Sequence, residues 1–176
     1  VEEFTIMSSG LTSDLVLYYM SKGRRQVDIA EEFGVSRQYV HNLAKRGGYE
    51  SPITTVTENM PWEVDSDHYR HPIYMAMRLV GHLALAPDNL TIESVERAEG
   101  LINRLRTFDV VVDYNPVYPP MPGVTGHTGF AYLPRTSEDE DFIMKVRPGV
   151  RITPLGSEIW RMPDEEYFDF ARGGAR

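Results

Sequence analysis

The chain opens with three short apolar patterns at helical spacing, each bounded by capping and turn residues. Thr12 is placed to N-cap a helix starting at Ser13, with Asp14 in the first turn and Leu11 and Val16 as a hydrophobic staple. Leu15, Val16, Tyr19 and Met20 fall inward, and Lys22-Gly23 closes the helix. A second helix is predicted over Gln26 to Phe33, with Ile29, Ala30 and Phe33 inward and Gly34 as its C-terminal turn. Ser36 caps a third, Arg37 to Arg46, with Val40 and Leu43 inward and Gly47-Gly48 as the stop.

After Tyr49-Glu50 the stretch SPITTVTENMPW is Thr-rich and bounded by proline, which predicts a linker over residues 51–61 with room for one short turn. Pro72 suits the first position of a helix reaching Ala86, ended by Pro87. Thr91 caps the next helix, stapled by Leu90 and Val95, with Val95, Ala98, Ile102 and Leu105 as its stripe. The period then changes. Val110 to Val112 reads as a strand, Tyr114 to Thr128 as a Pro/Gly loop, Gly129 to Leu133 as the partner strand, and Phe142 to Val146 as a third. Thr153-Pro154 opens a short helix carrying Ile159 and Trp160, and the tail from Pro163 reads as helical and acidic. The expected fold is mainly α with a small β-sheet. A helix-turn-helix domain over 1–50 and a linker over 51–61 precede an α+β domain over 62–176.

At 176 residues, 41% hydrophobic and 11% aromatic, the chain can bury a real core. It has no cysteine, which removes disulfides, thiol nucleophiles and thiolate metal sites and fits a reducing cytoplasm. No run reads as a membrane span, and the acidic start VEEFTIMSSG does not read as an export signal. The first residue is Val, so an initiator Met or a longer leader is expected ahead of it. The net charge of −8, from 18 basic and 26 acidic residues, argues against nucleic acid when taken as an average. Locally the sign reverses. Residues 21–48 hold six basic and three acidic side chains, a local +3 that leaves −11 elsewhere (−8 minus 3). Glu138 to Asp141 and Asp164 to Asp169 are read as solvated acidic clusters facing away from any polyanion.

Within that basic segment, QVDIAEEFGVSRQYVHNLAK at 26–45 has helix-turn-helix spacing. Ala30 is small where two helices cross, Gly34 occupies the turn, and Ile29, Phe33, Val35, Val40 and Leu43 form the inward wedge. Outward on the third helix stand Arg37, Gln38, His41, Asn42 and Lys45, the candidate base readers. Arginine can pair with guanine, and Gln or Asn with adenine, each contact discriminating by about 1–3 kcal/mol. Lys22, Arg24, Arg25, Gln26, Ser36, Tyr39 and Arg46 surround them as candidate phosphate contacts. The partner this predicts is double-stranded DNA.

The helix-turn-helix is followed, in order, by Pro61-Trp62, DVVVDYNP at 109–116, GFAYLPR at 129–135, DFIMKV at 141–146 and TPLGSEIW at 153–160. In this combination, from about Leu11 to Pro163, the chain resembles the immunity repressors of temperate mycobacteriophages and their actinobacteriophage relatives. The resemblance implies a repressor that maintains lysogeny and superinfection immunity in the bacterial cytoplasm. It would bind asymmetric operators and dispersed stoperators as a monomer, hinder host RNA polymerase indirectly, and use both domains on DNA. The absence of a heptad run is compatible with a monomer. Second-domain candidates for DNA contact are His68, Arg70, Arg78, Arg104, Arg106, Tyr132, Arg135, Lys145 and Arg147. The apolar YMAMRLVGHLALA departs from the charge-rich helix the resemblance implies and reads as core.

Two rivals carry different expectations. A recombinase or transposase could pair metal ions with Asp109, Asp113, Asp139 and Asp141, but the last two lie in the acidic turn. The Ser and Tyr recombinase patterns are absent, and His68 and His71 lack an obvious third ligand, so no enzyme activity, metal, cofactor or small-molecule ligand is expected. An architectural accessory factor would bind DNA with little sequence preference.

Overall fold

The computed structural model describes residues 9–47, 51–87 and 90–174. Its contacts divide the chain into two compact units, Val1–Ser51 and Pro52–Arg176. Gly48, Tyr49 and Glu50, expected as a helix stop and a domain boundary, lie outside the described residues.

The first unit is three helices: α1 (Ser13–Ser21), α2 (Gln26–Phe33) and α3 (Arg37–Arg46). Thr12 accepts from the Leu15 amide at the start of α1, with Leu11 and Val16 buried beside the cap. The α1–α3 and α2–α3 packing closes over Leu15, Val16, Ile29, Ala30, Val40 and Leu43, and the Tyr19 and Phe33 rings tilt together at 6.0 Å. Gly34 has φ 65°, and the Val35 amide donates to Ala30 O at 3.0 Å, so the turn needs a residue without a Cβ. Gly47 serves differently, because a Cβ there would lie 2.6 Å from Leu17 Cδ1. Three inward assignments need correction. Met20 is exposed, while Phe33 and Val35 are half-buried, because each sits at a helix end or turn where the packed face runs out.

The second unit holds α4 (Pro52–Glu58), α5 (Pro72–Leu85), α6 (Ile92–Phe108), β1 (Val110–Tyr114), β2 (Phe130–Pro134), α7 (Gly156–Ile159) and α8 (Tyr167–Gly174). The expected linker over 51–61 is overturned. Its middle is α4, which packs against α5 and buries Val56. Polar contacts from distant residues fasten its end. Trp160 Nε1 donates to Asn59 O at 2.8 Å, Thr153 Oγ1 donates to Asn59 Oδ1 at 2.6 Å, and Arg151 donates to Glu58 O at 2.6 Å. Gly81 admits this packing, since a Cβ there would come within 2.9 Å of both Trp160 and Val56.

Helix α5 begins at Pro72 after a His71 cap and buries Ile73, Tyr74, Met77, Val80 and Leu83, the core role its apolar composition predicts. Helix α6 starts from the Thr91 cap and buries Val95, Ala98, Leu101, Ile102 and Leu105. Strands β1 and β2 pair antiparallel with Val112 opposite Tyr132 and Tyr114 opposite Phe130. The third strand expected at 142–146 is not formed. Val112 donates to Ile143 O and accepts from the Lys145 amide, which makes one parallel bridge at Met144. The ladder does not extend back past Ile143, whose amide is spent on Trp160 O, while the Val146 amide, on the other edge of the segment, donates to Asp139 Oδ1 at 2.9 Å.

Candidate DNA-binding face

In the first unit, Ser36 is extended (φ −74°, ψ 150°) and its Oγ accepts from the Tyr39 amide at 3.1 Å. The cap uses the hydroxyl oxygen as acceptor and leaves its proton available to an anion at the same helix start. From that cap, Val40 and Leu43 turn inward, while Arg37, Gln38, His41, Asn42 and Lys45 are all exposed. Helical spacing therefore brings the five predicted base readers onto the outer side of α3, which carries no acid.

Two of these side chains meet. Gln38 Nε2 donates to Asn42 Oδ1 at 3.1 Å, one turn apart. The bond leaves the Gln38 carbonyl as an acceptor and an Asn42 amide proton as a donor. The pair can thus offer jointly the donor and acceptor that an adenine edge requires. Arg37 and His41 line a shallow cleft with Met20, Arg24, Gln26 and Val27, where α3 passes the start of α2.

The surrounding cations are unequal. Arg24 is bonded to Glu32 and lies 4.4 Å from the centre of the Tyr19 ring. Arg25 forks onto Asp28 with two contacts of 2.8 Å, which hold that carboxylate below its ordinary range. Lys22 lies over Tyr18 at 5.3 Å, and Gln26 reaches Met20 Sδ at 3.8 Å. Arg37, Lys45 and Arg46 are exposed with no ion-pair partner among the described residues. Local acids thus tie up Arg24 and Arg25, and the unpaired charge is concentrated on α3. Tyr39 stands beside it, 42% exposed.

The second-unit candidates separate more sharply. Arg147 donates to Asp113 at 3.0 Å and to Tyr114 O, and Asp113, fully buried, also accepts from Tyr118. Lys145 holds buried Asp139 at 3.0 Å. Burial alone would push the Asp139 carboxyl up, but the Val146 and Thr136 amides and the Lys145 ammonium bring it below the ordinary range. This corrects the reading of 138–141 as a uniformly solvated run. Arg135 donates to the Glu140 and Phe142 carbonyls, and Arg106 donates to Pro163 O. His68 is fixed between Tyr114 OH at 2.9 Å and Thr128 Oγ1 at 3.2 Å, pressed against Gly129. Arg78 is half-buried over Tyr74, and Arg104 is exposed over half-buried Tyr132. Arg70 is exposed without an ionic partner among the described residues. Arg97, in sequence one charge among several on an amphipathic helix, is exposed on α6 seven residues before Arg104.

The four aspartates weighed for metal chemistry do not converge. Asp113 is bound to Arg147, Asp139 to Lys145, Asp141 to Arg161, and Asp109 lies 3.5 Å from Arg135.

No protein-family model matches this chain. The repressor-like immunity protein of Mycobacterium phage L5 is 31% identical to it over 148 residues, spanning 82% of this chain and 80% of that protein. That span exceeds the 125 residues of the second unit (176 minus 51), so the likeness reaches into both units. The relationship thus spans parts of both units, and the chain belongs to the family of mycobacteriophage repressor-like immunity proteins.

Proposed function

We propose that this protein is a sequence-specific DNA-binding repressor of a temperate phage, one that maintains lysogeny and superinfection immunity. The observation that carries the reading is the outer side of α3, where five hydrogen-bonding side chains stand exposed with no acid among them. Family membership supports the biological role. Arg37, Gln38, His41, Asn42 and Lys45 read base edges in the major groove. Ser36, Tyr39, Lys22 and Arg46 grip phosphates, with Gln26 at the start of α2.

A lone recognition helix covers few base pairs, so the second unit adds contacts, and one chain then reads an asymmetric site. Of its candidates, Arg70 is the best suited, because Arg106, Arg135, Lys145 and Arg147 are already spent on internal carbonyls and carboxylates. Chains bound at operators and dispersed stoperators act on host RNA polymerase by obstruction. The reaction is binding alone, without cofactor or catalysis.

Footprinting of the full-length chain on phage promoter DNA tests this reading. Discrete, recurring protected sites are expected, and protection smeared along the fragment would refute it. Gln38→Ala and Asn42→Ala each relax preference at particular base pairs by about 1–3 kcal/mol. Equal loss on every sequence would show that the pair does not read bases.

A further inference from the structure

Between α5, α6 and the loop before β2 lies a groove of about 540 Å³. Met75, Ala76, Leu101 and Val124 line it, and Arg97 and Arg104 stand along the α6 side. Met75 and Val124 are exposed, at 41% and 42%. Neither arginine has an ion-pair partner among the described residues, and Arg104 is steadied over the Tyr132 ring at 5.7 Å. An apolar surface flanked by two cations suits an apolar side chain that carries acids beside it.

The same unit displays that combination elsewhere. Helix α8 turns Phe168 and Ala171 inward and leaves Phe170 80% exposed. The Phe170 amide donates to Glu166 O at 3.2 Å, so exposed Glu166 lies one turn before the ring on the same outer face. The two features cannot meet within one chain. Arg172 of α8 is bonded to Glu99, and Arg106 to Pro163 O, so α8 and its approach pack on the Glu99–Arg106 side of α6. At 100° per residue that side is half a turn from Arg97 and Arg104.

We propose that the groove receives the Glu166–Phe170 turn at the start of α8 from a second copy of this chain. The inference deepens the function proposed above, in which single chains occupy many dispersed sites. One ring and its flanks bury far less than the roughly 1,000 Å² of a stable interface. Each second unit also carries a net charge of −7 (12 basic, 19 acidic side chains from residue 52 onward), which opposes association. Free chains are therefore monomeric when dilute. The contact tells when two copies sit on neighbouring DNA sites, where the effective concentration reaches about millimolar. A DNA strand would use the two guanidinium groups but leave Met75, Ala76 and Leu101 without a partner.

Sedimentation equilibrium of the full-length chain at up to roughly 1 mM tests the contact. Weight-average mass should climb with concentration. Phe170→Ala and Met75→Asp should each lower the association constant about tenfold, which is about 1.4 kcal/mol. A mixture of the two variants should associate more than either alone, since one keeps its groove and the other its ring. A constant mass, variants that associate like the parent, or a mixture no better than its components would overturn the proposal. Loss of DNA affinity in Arg97→Glu with self-association intact would assign the groove to DNA and also overturn it. Single-site mobility shifts report the parent reading separately, because they fail only if the chain does not bind DNA specifically.

Discussion

His71 offers a quantitative test of the second unit. Its ring is 1% exposed, caps α5 by accepting the Ile73 amide on Nδ1 at 3.1 Å, and lies 5.9 Å from His127. Burial first, and then the neighbouring His127, lower its pKa from 6.5 to about 4. Protonation would put a charge in the core and convert the accepting nitrogen into a donor. The unfolded chain binds this proton below about pH 6.5 and the folded chain only below about pH 4, so stability falls as pH drops between those values. At 1.36 kcal/mol per pH unit the full loss is about 3 kcal/mol, of which about 2 kcal/mol is gone by pH 5. Urea unfolding followed by tryptophan fluorescence measures this directly, because both tryptophans, Trp62 and Trp160, belong to the second unit. His71→Asn keeps an acceptor for the cap and removes the titration. It should be less stable than the parent at pH 7.5, and that deficit should shrink by about 2 kcal/mol at pH 5. His82, also lowered by burial, is common to both proteins and cancels. A deficit that stays constant from pH 7.5 to pH 5 would refute the reasoning.

Arg147→Ala strands the buried Asp113 carboxylate and should cost about 2–3 kcal/mol by urea titration, below the value for a fully buried pair because Arg147 is 35% exposed. A loss under about 1 kcal/mol would mean that water solvates Asp113 once the arginine is gone. Gly81→Ala forces a methyl against Trp160 and Val56 and should destabilise by about 1–3 kcal/mol; unchanged thermal stability would show that α4 can move aside. On DNA, Arg46→Ala should weaken all sites alike and lower the slope of log affinity against log salt by about one, whereas Arg25→Ala, a side chain already forked onto Asp28, should change it less. Equal slopes for the two variants would contradict this ranking.

The elements most legible in the sequence are those whose signals are local. Thr12, Ser36 and Thr91 cap their helices as their spacing predicts, and Gly34 takes the left-handed turn. The exposed set on α3 follows from the same 3.6-residue period that buries Val40 and Leu43. The errors arise where distant residues decide. Thr54, Thr55 and Thr57 weaken any helix prediction for α4, and what holds it in place comes from Thr153 and Trp160, roughly a hundred residues on. The acidic run at 138–141 looks uniform, yet Asp139 alone is buried, because Lys145 and the Val146 amide come round to meet it. Arginines near the second unit's core announce positive charge in sequence, while only the fold shows which of them have already found a carbonyl or carboxylate.

The closure at Asn59 also bears on the order in which the protein acquires its structure. The three helices of the first unit lie between Ser13 and Arg46 and are held by contacts of short sequence separation, the kind of topology that forms quickly. The second begins with α4, whose anchors at Thr153 and Trp160 are synthesised about a hundred residues later. During translation at about 5–20 residues per second, a helical head can therefore be folded for several seconds before the body behind it closes. A chain interrupted before Trp160 would carry a finished α3 on an open body, with Val56 and the Gly81 face of α5 uncovered. Such truncated chains would be expected to be poorly soluble and prompt targets for proteolysis.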